Sequence, residues 1–373
     1  MKKLFVFVAF LSSVLFAIDH ESLNTQTCAK CHPLIVEEYE NSMHRNSTIY
    51  NDPIHAAVWD NHPLKEQDKY STCAECHAPN AKNEEDLKAG ITCFDCHTIT
   101  NIEEHADLNR NVYGKDKKHL YSAQKGKENE VLKYKVETSM FGLSKKTVGS
   151  PYHDIDYTNE IYYDGQVCMG CHSHRQNSHG FDLCRTDEKS AGDKNENCIT
   201  CHMPQVEGSA TTIRESLTHA YHGAAGPHNK PEMLLKYIDI AFNQKSGGFD
   251  IVVENKSPHA LLTHPLRVVE LRVNLLRGGK TTPLETTKFF KVIGDDGKPT
   301  PPWLAKEVVS DNMIKAKEKR AIEFKESLQS GDQLEVTLGY FKVNPKAAEK
   351  FGLNNNKEAT KFTVLKHNFF TIN

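Results

Sequence analysis

The pentapeptide Cys-x-x-Cys-His occurs five times in this chain, as Cys28-Ala29-Lys30-Cys31-His32, Cys73-Ala74-Glu75-Cys76-His77, Cys93-Phe94-Asp95-Cys96-His97, Cys168-Met169-Gly170-Cys171-His172 and Cys198-Ile199-Thr200-Cys201-His202. The residue types and their spacing limit the chemistry. Two thiols three positions apart can each reach one vinyl group on the same edge of a porphyrin. The His that follows is carried under the ring, where its imidazole binds iron from the proximal side. The pattern is the attachment sequence of haem c. It predicts five covalently bound haem c groups, with His32, His77, His97, His172 and His202 as proximal ligands. Zinc is the rival chemistry, because paired Cys-x-x-Cys knuckles also build tetrahedral sites. Zinc knuckles normally come in twos, and they need no His after every second Cys. Redox-active Cys-x-x-Cys disulfides are usually single and sit near a βαβ pattern, which is not evident here.

A six-coordinate haem iron needs a second axial ligand, most often His or Met. The chain has 20 His, so fifteen remain after the proximal five. Most of these must be surface or structural residues, and position ranks the rest. His44 follows the first attachment site, His153 precedes the fourth and His219 follows the last. These three are distal candidates, with His222 competing with His219. His259 is a fourth candidate: it sits in Ser257-Pro258-His259, where a strand ends in a Pro-bearing loop. From there a later domain could reach across to ligate a haem. His55, His105, His119 and His264 rank lower. Cys184 lies outside the five pairs. It is expected as a buried inert thiol, with a reactive thiol or thiolate ligand as the alternative.

The elements that position these residues fall into two parts. Residues 1–17 read as a secretory signal: Lys2 and Lys3 form the positive end, Leu4 to Phe16 the apolar core, and Ala17 the cleavage point. Such a leader implies a periplasmic protein with no transmembrane span after cleavage, the compartment where c-type haem is attached. Residues 18–231 are rich in His, Cys, Asn and Lys and poor in periodic apolar runs. Short helices and loops packed on haems are expected there. One helix is expected over Leu34 to Met43, with Leu34, Ile35, Tyr39 and Met43 apolar at near-helical spacing. The Lys-rich stretch from Lys115 to Lys146 reads as an exposed excursion or hairpin.

Residues 232–373 change character. Strands are expected at Tyr237–Phe242, Phe249–Glu254, Val268–Leu276, Phe289–Ile293, Gln333–Phe341 and Phe362–Leu365, from alternating apolar residues bounded by Gly-rich turns. Ala305 to Lys319 reads as a loop or short helix. The expected fold is multidomain: a short-helix and loop multihaem domain followed by an antiparallel β-sandwich of Ig-like size.

Composition agrees with that reading. Only 38% of the 373 residues are hydrophobic, below the usual share for globular domains. An apolar macrocycle can replace part of a side-chain core. The formal charge of -3 becomes -5 once Lys2 and Lys3 leave with the leader. That balance argues against nucleic acid and favours basic redox partners.

Several segments carry a family likeness. Tyr39-Glu40-Asn41-Ser42-Met43-His44, Gly90-Ile91-Thr92-Cys93-Phe94-Asp95-Cys96-His97, Ser150-Pro151-Tyr152-His153, Cys201-His202-Met203-Pro204 and Thr218-His219-Ala220-Tyr221 resemble the multihaem cytochromes that include cytochrome c-554 and the hydroxylamine oxidoreductase group. The resemblance covers most of residues 24–230 and implies distal-ligand roles for His44, His153 and His219. The region from Tyr237 resembles a C-terminal domain fused to some multihaem cytochromes, although Pro258 stands where that family tends to place Gly. No Cys-x-x-Cys-Lys is present, and the motif count is five rather than four or eight. Catalysis is therefore not carried over. Two functions stay open. One is electron transfer between redox partner proteins, such as a membrane quinol dehydrogenase and a periplasmic reductase. The other is an oxidoreductase acting on a small nitrogen or sulfur compound at one five-coordinate haem.

Overall fold

The computed structural model describes residues 25–138, 145–186 and 191–373. The expected leader, residues 1–17, lies outside the described residues. Up to about residue 237 no element is longer than eight residues. The helices begin on local signals. Pro33 and Pro53 occupy the first helical turn of Pro33–Glu40 and Pro53–Asp60, where a missing N–H costs nothing. The Asp52 carboxylate caps the second of these, accepting from the Ile54 N–H at 2.9 Å. The helix expected over Leu34 to Met43 runs only over Pro33–Glu40 and buries Val36 and Tyr39. Leu34 is left exposed. The chain turns away after Glu40, carrying Ser42 inward and leaving His44 free of helical geometry.

Short antiparallel ribbons fill the space between attachment sites. Ile99–Glu103 pairs with Arg110–Tyr113, and Lys135–Thr138 with Lys145–Val148. The latter is the hairpin expected in the Lys-rich excursion. His119–Tyr121 adds a parallel pairing with Asp154–Asp156.

Beyond residue 237 the strands lengthen and the alternation becomes strict. Ile238–Lys245, Gly248–Asn255 and Lys319–Phe324 form one sheet. Val268–Arg277 is the centre of another. It pairs with Lys280–Pro283, Thr287–Phe289 and Gln333–Phe341, and Phe362–Thr371 adds to the last of these. Register places Val269 opposite Tyr340, Leu271 opposite Leu338 and Val273 opposite Val336. Phe249, Ile251 and Val253 of the first sheet and Leu271, Val273, Leu334, Val336 and Leu338 of the second enter one continuous core. In both sheets every second residue faces it.

Two expectations are corrected here. Ala305 to Lys319 contains a strand, Glu307–Asp311, paired with Lys291–Asp295. The adjacent β-branched Val308 and Val309 favour it despite the surrounding charge. The last strand continues past Leu365 to Thr371, because Lys366 and Asn368 pair across Leu338 and Val336 on a two-residue period.

The two parts are tied together. Ile54 and Ala57 pack on a small cluster of Val343, Ala348, Leu353 and Ala359. Asn177 Nδ2 donates to the carbonyls of Pro302 and Ala305 at 2.9 and 2.6 Å. Lys317 reaches Glu196 at 2.6 Å. Among the described residues no helix is long and apolar enough to cross a membrane.

Leu271 has no exposed surface and sits in the middle of the shared core. Leu271→Ala is expected to destabilise the strand region by about 2–5 kcal/mol, from lost burial plus the cavity left behind. Denaturant titration followed by far-UV circular dichroism measures this, and haem absorbance should be unchanged in native buffer.

Candidate haem centres

Each Cys-x-x-Cys-His segment lies on a helical turn: Thr25–Ala29 continuing to His32, Ser71–His77, Cys93–His97, Gln166–Cys168 running into Met169–His172, and Cys198–His202. On such a turn residues three and four apart share one face, so the two thiols and the imidazole emerge together. Two of these turns are started by strong caps. Thr92 and Asp95 form a capping box around Cys93, with Asp95 buried and accepting from Asn80 as well as from Thr92 N–H at 2.6 Å. Asn197 Oδ1 accepts from the N–H groups of Ile199 and Thr200 ahead of Cys201. Ten of the eleven Cys have described side chains, and none of these ten is in a disulfide. Cys184 lies in the strand Asp182–Arg185, opposite Arg175.

The imidazoles are oriented as metal ligands would be. His32 Nδ1 is bonded to Ala210 O at 2.7 Å, His77 Nδ1 to Ser47 O at 2.8 Å, His97 Nδ1 to Tyr121 O at 2.6 Å and His202 Nδ1 to Ala225 O at 2.5 Å. A carbonyl partner fixes the proton on Nδ1 and leaves the Nε2 lone pair free. Burial pushes His44, His77 and His222 down to about 4 and lowers His97, His153, His172 and His202 as well. These rings are held neutral, the form that binds a metal.

Four of the five attachment His face a second His across a nearly constant gap. Ring centroids are 6.3 Å apart for His32 and His153, 6.2 Å for His44 and His172, 6.2 Å for His97 and His222, and 6.1 Å for His202 and His259. With metal–nitrogen bonds of about 2.0 Å, two imidazoles on opposite faces of one iron place their centroids about 6.2 Å apart. The gap therefore fits one iron between each pair. Three of the opposing rings also send Nδ1 to a carbonyl: His153 to Asp154, His222 to Ala220 and His259 to Ala260.

The fifth attachment residue differs. His77 has His55 beside it with centroids only 4.4 Å apart, and both rings bond the same Ser47 carbonyl at 2.8 Å. That separation is too short for an iron between them. His55 supports the His77 side of the site rather than facing it.

His219 is corrected as a distal candidate. It lies in the strand Thr218–Ala220, nearly fully buried, with both ring nitrogens engaged. Nδ1 is 3.0 Å from Gly208 O and Nε2 is 3.0 Å from the Glu38 carboxylate. Both nitrogens therefore face protein partners rather than a space for a metal. The other Glu38 oxygen accepts the His222 N–H at 2.8 Å, so His219 and Glu38 hold the backbone from which His222 reaches His97. Of the lower-ranked His, His105 is paired with Asp107 and His119 with Asp156 at 2.8 Å.

The five segments adjoin one another. The Cys28 thiol lies against Cys93, Cys76 against Cys171 and Cys168 against Cys198, while Cys96 is a near neighbour of Cys168 and Cys171. The fourth segment thus neighbours the second, third and fifth, and the first neighbours the third.

Attachment turns in mutual contact, embedded in short helices and joined to paired β-sheets, make up an architecture similar in fold to a multihaem c-type cytochrome. Residues 27–98 match the sequence model of the family described as cytochrome c554 and c-prime. The whole fold is similar to the crystal structure of a penta-heme cytochrome c552 from Thermochromatium tepidum, at a TM-score of 0.70 and 23% identity, over 95% of this chain and 100% of that one. No curated protein matches the sequence.

Proposed function

We propose that this chain is a periplasmic pentahaem cytochrome that passes electrons between redox partner proteins of a respiratory chain, such as a membrane quinol dehydrogenase and a periplasmic reductase. The observation that carries the reading is the repeated 6.1–6.3 Å separation between an attachment His and a second His. Four irons with both axial positions filled would exchange electrons and bind no substrate. Haem c would be linked through Cys28, Cys31, Cys73, Cys76, Cys93, Cys96, Cys168, Cys171, Cys198 and Cys201. His32, His77, His97, His172 and His202 would be proximal, and His153, His44, His222 and His259 distal. The five motifs and the penta-heme description of the similar structure support a count of five. In this reading a leader (1–17) is removed, the haem domain spans 18–231, and residues 232–373 form an Ig-like β-sandwich that contributes His259.

Mass spectrometry of the mature protein should show a gain of five porphyrin masses. Low-temperature EPR of the oxidised protein should show low-spin signals from four irons. A largely high-spin spectrum would overturn the reading.

The position of His55 favours a second activity at one centre. Among the described residues no ring contact sets a second imidazole about 6.2 Å across from His77, so the second iron would keep an open axial position, where a small nitrogen or sulfur compound would bind. One high-spin EPR signal that changes on adding nitrite, hydroxylamine or sulfite is expected. Its absence would leave electron transfer alone.

A further inference from the structure

We propose that the edge of the molecule around His32 and His153 is a docking surface for an acidic redox protein, which delivers electrons to the iron between those two residues. The inference rests on the reading that a haem is carried there, and it adds the place and the charge of the partner.

Backbone pairing puts cationic segments on both sides of His153. His119–Tyr121 and Val131–Leu132 flank Asp154–Asp156, with His119 opposite Asp154 and Leu132 opposite Ile155. Lys118 and Lys133 therefore stand at the end of this small sheet where His153 enters it. The Lys118 carbonyl accepts the Asp154 N–H at 2.7 Å. The ribbon of Lys135–Thr138 with Lys145–Val148 springs from the same end. Its base lies so close that a Cβ on Gly149 would stand 2.7 Å from the Lys133 carbonyl oxygen. After Gly149 only Ser150, Pro151 and Tyr152 separate the ribbon from His153.

The charge here is opposite in sign to that of the chain. Residues 115–148 contain nine Lys against four Asp or Glu, in a chain of formal charge -3. Lys115, Lys117, Lys118, Lys133, Lys135 and Lys146 are exposed. Among the described residues only Lys135 of these six is in an ion pair, with Glu137 at 2.6 Å. The others keep their charge for a partner. A local field of this kind draws an oppositely charged surface into encounter and orients it.

Apolar groups are exposed beside these charges. Val131, Tyr134, Val136 and Tyr152 lie on the His153 side. On the His32 side Leu34 is exposed two positions further on, and Ile213 and Leu217 belong to a loop that bonds the first attachment turn. Thr212 N–H donates to Cys31 O at 2.9 Å, and Ala210 O meets His32 Nδ1. Seven of the thirteen large apolar side chains exposed among the described residues thus lie on segments joined to this one centre. Lys on a free ribbon edge also discourages stray strand pairing, but that role calls for no exposed Tyr or Val beside it. A membrane-binding segment would gather its apolar groups on one face of a helix, whereas here they are spread over ribbon and loops. Apolar groups rimmed by charge suit the small interface of a redox encounter. On docking, one electron leaves the partner's reduced cofactor and the ferric iron becomes ferrous, with no bond or proton transferred. Cys28 lies against Cys93, so the electron has a next station at the third centre.

Reduced flavodoxin, an acidic redox protein, is the probe. It is mixed with the oxidised holoprotein by stopped flow at several salt concentrations, its hydroquinone becoming semiquinone as one haem is reduced. The patch variant is K117E/K118E/K133E/K135E. The control is K280E/K298E/K325E/K350E, which changes the net charge equally on exposed Lys of the strand region. At low salt the second-order rate constant is expected to fall roughly tenfold or more in the patch variant and no more than about threefold in the control. Added salt should slow the native protein and leave the patch variant nearly unchanged. Equal slowing in both variants, or none in the patch variant, overturns the proposal. So does native protein that sediments with phosphatidylglycerol vesicles where the patch variant does not, while both accept electrons at one rate; the surface would then serve a membrane. Mass analysis of the peptide carrying Cys28 and Cys31, run on every variant, reports separately on the haem reading: a peptide without porphyrin sinks that reading whatever the rates.

Discussion

His222→Met is expected to raise the midpoint potential of one haem by on the order of 0.1 V, a part of the roughly 0.8 V range that axial ligands command. His219→Gln is expected to leave every potential unchanged. The two residues lie three positions apart, so the contrast is a sharp test of ligation. His222 faces His97 at the separation that one iron needs, and burial keeps its ring neutral. A thioether there would retain six coordination while withdrawing the stronger donor, and spectroelectrochemical titration would read the shift. His219 instead holds Glu38 through a nearly buried hydrogen bond. Its replacement removes a partner from a carboxylate, with an expected stability cost of about 1.5–3 kcal/mol. Urea denaturation measures that loss. If His219→Gln moved a potential and His222→Met did not, the pairing of His222 with His97 would be wrong.

The contrast also shows what the sequence can carry. Attachment turns are local: Cys, Cys and His at helical spacing share a face wherever the turn forms, so the positions of the five turns are legible residue by residue. The sheet core is legible for a similar reason. Phe249, Ile251 and Val253, and Leu271, Val273 and Leu275, alternate strictly, and the structure buries all of them. Pairing across an iron is not local. His44 follows the first attachment turn but faces His172, and His153 precedes the fourth turn but faces His32. A segment next to an attachment turn starts on the proximal side. It cannot easily pass round the macrocycle, so the opposite face is supplied from elsewhere in the chain.

His219 and His222 were not separable by spacing either. The distinction comes from Glu38 in helix Pro33–Glu40, 181 residues from His219, a contact that no pattern in the intervening sequence announces. The strand Glu307–Asp311 was hidden because its neighbours are charged and one of its two Val, Val308, is exposed. Its pairing with Lys291–Asp295 outweighs that composition.

The largest loss of function is expected from Cys168→Ser with Cys171→Ser. The double variant should carry one porphyrin mass fewer, and its internal electron exchange should slow by orders of magnitude. The reason is the position of the fourth attachment turn. Cys171 lies against Cys76, Cys168 lies against Cys198, and both are near Cys96. His172 is in turn a near neighbour of both His77 and His202. Among the described residues no other turn has three such neighbours. Among the described residues the first turn meets the third, through Cys28 and Cys93 and through His32 and His97. Removing the fourth group would leave the first and third as a pair, cut off from the second and fifth. The comparison variant is Cys28→Ser with Cys31→Ser, which also removes one group but from the end of the array. Stopped-flow reduction with dithionite separates the two. The end variant should equilibrate its remaining haems as fast as the native protein, whereas the central variant should reduce in two kinetically distinct groups. Identical single-phase kinetics in both variants would show that electrons do not depend on the fourth position, and the contacts among the attachment turns would then have no functional meaning.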